Sequence, residues 1–124
     1  MSARESISSA SGEHYTWGPA GHPCDGWHLV RTAGLSVILE RMPPGAHEVR
    51  HYHNRARQFF FVLEGELTIE IEGDEFALGR EQGIEVAPEV LHQAFNRSSK
   101  DVRFLVISQP PSHGDRTNAV GRDK

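Results

Sequence analysis

From about residue 14 to about residue 110, short apolar runs are cut by Gly or Pro roughly every 8–12 residues, and this rhythm admits little besides an all-β sandwich or barrel. No stretch keeps a helical apolar period long enough to compete. Leu35, Val37 and Leu39 alternate up to the turn Pro43-Pro44-Gly45. Leu67, Ile69 and Ile71 alternate with Thr68 and Glu70, which predicts a strand with one solvated face. Gly73-Asp74 then reads as a two-residue hairpin connection into residues 75–78, because Gly accepts positive φ. Ile84 and Val86 open another strand, and residues 102–107 form a last, nearly continuous apolar run.

With 124 residues the chain closes one hydrophobic core and leaves no room for a second catalytic domain. Residues 1–13 are polar and Ser-rich, and residues 111–124 carry Pro, Ser, Gly and charge, so the expected organisation is an N-terminal arm, a β-barrel over 14–110 and a C-terminal tail. The formal charge of −4 comes without a basic stripe, which argues against a nucleic-acid partner. No run is long and apolar enough for a membrane span, and the opening residues lack the apolar stretch of a secretory signal. Together with a single cysteine, Cys24, which has no internal disulfide partner, this leads us to expect a cytoplasmic protein.

The run Phe59-Phe60-Phe61-Val62-Leu63 is apolar at every position, so both its faces should be covered. A second copy of the chain, giving a homodimer, could cover the outer face. So could an N-terminal arm carrying Tyr15, Trp17 and Trp27.

Of the eight histidines, His51 and His53 are two apart and therefore project to one face of an extended chain, with Tyr52 opposed. Gln58 shares parity with Phe60 and Val62 and should face the interior. His92 follows a proline-started turn, where an antiparallel neighbour can bring it opposite the pair. His51, His53, Gln58 and His92 are thus the candidate metal ligands. Imidazole suits Fe, Ni, Mn, Zn and Cu alike, so the residue types do not choose the divalent metal.

The run Gly45-x5-His51-x-His53-x4-Gln58-x6-Gly65 resembles the first cupin motif, with Gln58 where that motif carries glutamate. The run Ala87-Pro88-Glu89-Val90-Leu91-His92-x3-Asn96 resembles the second, with Ala87 in place of its first proline and Glu89 in place of its glycine. With the flanking strands the resemblance covers roughly residues 27–108. It implies a small double-stranded β-helix (jelly-roll) barrel, one metal inside its mouth, and frequent homodimerisation. Gln58 offers a neutral carbonyl oxygen and is either a weak ligand or a partner behind the ligands.

Three neutral imidazoles and a neutral amide would leave a divalent ion's charge uncompensated, which favours a small anionic ligand such as a carboxylate or enolate. His47 is expected at the rim. Arg55 and Arg57 sit beside the ligands as possible anion contacts, Phe95 and Phe104 read as core, and Ser112-His113-Gly114-Asp115 is too local to form a working triad. Two functions stand open: a metal-dependent enzyme, dioxygenase-like or an isomerase or lyase, on a small enolisable molecule, and a non-catalytic binding or sensor module. A purely structural unit fits polar ligands in a core poorly. Glu40, Glu48 and Glu89 are the nearest carboxylates, and none is assignable as an acid or base from sequence, which leaves oxygen chemistry slightly ahead.

Overall fold

A computed structural model describes residues 4–18, 21 and 23–119. Residues 1–3 of the expected arm, 120–124 of the expected tail, and His22 lie outside the described residues. The strands are β1 (Glu13–Trp17), β2 (Cys24–Arg31), β3 (Ser36–Met42), β4 (His51–His53), β5 (Arg57–Glu64), β6 (Leu67–Ile71), β7 (Asp74–Leu78), β8 (Gly83–Val86), β9 (His92–Phe95), β10 (Val102–Gln109) and β11 (Arg116–Asn118). They form two antiparallel sheets, ordered β1-β2-β3-β10-β5-β8 and β11-β4-β9-β6-β7, which face each other as a double-stranded β-helix. Among the described residues no helix is long and apolar enough to cross a membrane.

Strand parity divides the interior lengthwise. Met42 of β3, Val62 of β5 and Val102 and Phe104 of β10 pack with Leu67, Ile69 and Ala94 of the opposite sheet in one buried cluster. Full burial of such side chains contributes about 1.5–3 kcal/mol each. Further along the same inward faces come Glu40, Gln58 and Ser108, so the barrel turns polar toward its other end. Asn96 ties this closed end together. Its side-chain amide donates to the carbonyls of Met42 and Lys100, and its Oδ1 accepts from the backbone N–H and hydroxyl of Ser98.

Several expectations shift. The β6–β7 hairpin turns on Glu72-Gly73, both at positive φ, rather than on Gly73-Asp74, because Ile71 pairs with Asp74. The outward face of β6 is not solvated: Thr68 and Glu70 are buried, and Glu70 accepts two hydrogen bonds from the Arg50 guanidinium at 2.8 and 3.2 Å. The alternation Leu35, Val37, Leu39 marks the outside of β3, since Ser36, Ile38, Glu40 and Met42 point inward. Expected as tail, residues 116–118 instead pair with β4.

Phe59 and Leu63 remain 38% and 40% exposed on the outside of β5. Among the described residues the N-terminal segment does not reach them: β1 adds to the sheet's far edge beyond β2, and Tyr15 and Trp17 line an internal cavity.

Candidate metal centre

His51 and His53 leave β4 on the same side, and His92 of β9 stands directly across from His51. All three are buried, and one ring nitrogen from each lies within 4.8 Å of the others. That spread is one that a first-row ion with bonds of about 2.1 Å can draw together.

Each imidazole is oriented from behind. The Nδ1 of His51 meets the Val49 carbonyl at 2.7 Å, that of His53 the Asp115 carbonyl at 3.1 Å, and that of His92 the Val90 carbonyl at 3.0 Å. A carbonyl only accepts, so each Nδ1 carries the proton and each Nε2 presents a lone pair. Among the described residues, the Nε2 atoms of His53 and His92 are buried with no hydrogen-bond partner, as is Oε1 of Gln58, whose amide nitrogen donates to the Ser108 hydroxyl at 3.0 Å. Three buried lone pairs without donors are costly unless something electrophilic takes them. This donor set fits a divalent transition metal. Burial holds the imidazoles neutral: the pKa of His51 falls to about 3, with His92 adding to the effect, and that of His92 to about 4.

The loop behind His53 is closed by a residue that composition hides. The Asp115 carboxylate accepts the backbone N–H groups of Asn54, Arg55 and Ala56 at 3.0, 2.9 and 2.9 Å, so it is committed to backbone and not to His113. The Ser-His-Asp run is therefore no triad. Ser112, His113 and Gly114 nonetheless form part of the cavity wall.

Glu89 occupies the position that is glycine in the second motif and adopts φ 68°, a left-handed conformation that costs a residue with a side chain about 1 kcal/mol. Its N–H donates to the His53 carbonyl at 2.6 Å, so the turn that introduces His92 is tied to the other ligand strand.

His51 and His53 open into a cavity of about 290 Å³, also lined by Trp17, Ile38, Glu40, Glu48, Gln58, Phe60 and Arg116. Arg55 and Arg57 do not line it. Arg57 pairs with Glu85 at 2.8 Å on the surface, and Arg116 from β11 supplies the cationic wall instead. His47 is exposed and packs on Phe95, at the rim as expected. Phe104 is core, Phe95 is half-buried, and Cys24 is buried with its thiol pKa pushed up to about 11, chiefly by desolvation.

Glu40 and Glu48 both face the cavity. Burial raises Glu40 to about 8, with Glu48 adding to it, and raises Glu48 to about 7. The parity of Glu40 with Ile38 and Met42 was the available signal, masked by the stronger alternation of Leu35, Val37 and Leu39.

The profile described as the cupin domain matches residues 38–108. Polyketide synthase CurC of Streptomyces cyaneus is 29% identical over 77 residues, 62% of this chain and 47% of that protein. The tetracenomycin polyketide synthase protein TcmJ of Streptomyces glaucescens is 27% identical over 79 residues, 64% of this chain and 52% of that protein. The chain thus spans about half the length of these relatives. Among solved structures, KdgF from Halomonas sp. superposes with a TM-score of 0.77 at 17% identity, covering 88% of this chain and 96% of that one. A cupin-superfamily sugar phosphate isomerase from Silicibacter pomeroyi gives 0.74 at 24% identity, covering 86% and 76%. At these identities the structures show the shared fold.

Proposed function

This chain is a member of the cupin family, and on that premise we propose that it holds one divalent transition-metal ion on His51, His53 and His92, with the Gln58 carbonyl oxygen beside them, and acts there on a small enolisable organic acid. The observation that carries this reading is the set of buried, partnerless Nε2 atoms on rings whose Nδ1 atoms are pinned by backbone carbonyls.

When bound, the metal would act as a Lewis acid toward a carbonyl or carboxylate oxygen. The chain's own residues do the rest. Arg116 brings positive charge to the cavity wall, and Trp17, whose buried indole N–H lacks a partner among the described residues and can only donate, calls for an oxygen on the ligand. Phe60, Ile38 and Val106 supply an apolar wall that limits water. The relatives point the same way in substrate class. CurC and TcmJ are named for polyketide synthesis, and polyketide chains carry ketones with acidic neighbouring hydrogens, which supports an enolisable ligand. The exposed outer face of β5 further supports a homodimer through Phe59 and Leu63.

Calorimetric titration of the Ni²⁺-loaded protein with oxalate and with oxamide, its uncharged analogue of the same shape, tests the ligand class. Oxalate should bind at least about tenfold more tightly, a difference of roughly 1.4 kcal/mol. Equal affinity would remove the anionic ligand from the account.

A further inference from the structure

Tyr15, Gly26 and Glu40 stand in one row across β1, β2 and β3: Tyr15 pairs with Gly26, and Gly26 with Glu40. A side chain at Gly26 would overlap the phenol ring of Tyr15, so that ring lies flat over the glycine. Its hydroxyl then crosses a whole strand and donates to Oε2 of Glu40 at 3.2 Å. Both residues line the cavity that His51 and His53 also line. No Lys or Arg salt bridge engages Glu40 among the described residues, in contrast to Glu70, which Arg50 neutralises.

We propose that Glu40, positioned by the Tyr15 hydroxyl across Gly26, is the proton-carrying residue of this cavity, exchanging a proton with the carbon beside a carbonyl group held at the histidines. The inference rests on the metal and organic-acid reading above and deepens it by naming the reaction class. In the forward step the Glu40 carboxylate takes the proton. The C–H electron pair becomes the C=C bond of an enolate, and the carbonyl π pair moves to oxygen. Returning the proton to the same or a different carbon gives exchange or isomerisation, with no oxidant required.

The surroundings suit that task. Burial and Glu48 raise the carboxyl toward neutrality, while Tyr15 and Arg116 pull it down, so both protonation states are accessible near pH 7. Desolvation and Glu40 raise the Tyr15 hydroxyl further still, which keeps it a donor. Glu48 on the cavity wall keeps a hydrogen bond from the Ala94 N–H, so it is anchored to backbone, whereas among the described residues Glu40 is held by the Tyr15 hydroxyl alone.

Two readouts on Zn²⁺-loaded protein test the assignment, with metal content measured in each variant. First, oxalate binding at pH 8.5 is followed in buffers of different ionisation enthalpy. The wild type should take up a substantial fraction of a proton as Glu40 protonates to face the dianion, and Glu40→Gln, in which Glu48 is the remaining cavity carboxylate, should take up less than half as much. Second, exchange of pyruvate methyl hydrogens with D₂O is followed by proton NMR. The wild type should accelerate it, Glu40→Gln should lose at least about 100-fold of that acceleration, and Tyr15→Phe about tenfold, in line with general acid–base contributions. Metal-loaded Glu40→Gln that matches the wild type in both readouts overturns the proposal. Uptake without exchange in the wild type overturns the catalytic role, and leaves Glu40 a binding residue. Failure of the metal-loaded wild type to bind oxalate overturns the reading beneath it, and with it this inference.

Discussion

The metal-free protein is expected to show a stability plateau between about pH 4.5 and pH 6.5, falling on both sides, with each edge set by a different wall of the cavity. The signs follow from which state binds more protons. Burial raises Glu40 to about 8 and Glu48 to about 7, above the roughly 4.3 of an unfolded glutamate, so the folded state holds extra protons. Their contribution is complete below the unfolded value and is lost as pH rises through 7 and 8. His51 and His92 are depressed to about 3 and about 4, against roughly 6.5 unfolded, so they favour folding above 6.5 and that benefit disappears as pH falls toward 4.

Between the two windows the opposing effects cancel. Each group contributes a slope of up to about 1.4 kcal/mol per pH unit, and water at the cavity mouth holds the carboxylate limb below that. Substitution unmasks the halves: His92→Gln should become more stable on going from pH 6.5 to 4.5, and Glu40→Gln less stable. Urea unfolding midpoints across pH 4–9 check this. A wild-type profile that rises monotonically, or variants that keep the plateau, would show that these groups are not buried in the states assigned.

Asp115→Ala should be the most damaging single substitution outside the ligands, costing about 3 kcal/mol and weakening metal affinity about 10–100-fold. Its carboxylate is the acceptor for three consecutive backbone N–H groups in the turn that follows His53, and its own carbonyl fixes the His53 ring. Removing the side chain leaves those N–H groups short of a partner and frees β11 from β4, so His53 loses its backing as well. Desolvation alone would raise the Asp115 pKa, but the three N–H bonds together outweigh it and hold the carboxyl below its ordinary value. This part of the stability is therefore present above about pH 4 and is lost at lower pH. Thermal unfolding and metal titration of Asp115→Ala and Asp115→Asn measure both effects. Wild-type stability and metal affinity in the alanine variant would remove Asp115 from the site.

The sequence was most informative where physical rules are local. Period-two parity put His51, His53, Gln58, Phe60 and Val62 on inward faces, and the structure places them there. It misled where covering matters. Leu35, Val37 and Leu39 alternate as strongly as any core-facing set yet lie on the outer side of β3, where Leu39 is still buried, while Ser36 and Glu40 take inward positions. Residues 111–119 look like solvated tail by composition, but Asp115 is buried through hydrogen bonds to backbone, which no hydropathy pattern records. The Tyr15–Glu40 contact depends on the register of three strands, and Arg116 reaches the cavity only because β11 pairs with β4. Such long-range registers are set by the whole sheet, so a scan for nearby carboxylates found Glu40 and Glu48 without being able to assign either a role.

The central claim, a metal on His51, His53 and His92, is tested most directly by elemental analysis of untagged protein beside the folded His51→Ala variant. The account predicts about one transition-metal ion per chain in the wild type and essentially none in the variant. Folded wild-type protein that retains no metal after incubation with Fe, Ni, Mn, Cu and Zn would contradict it.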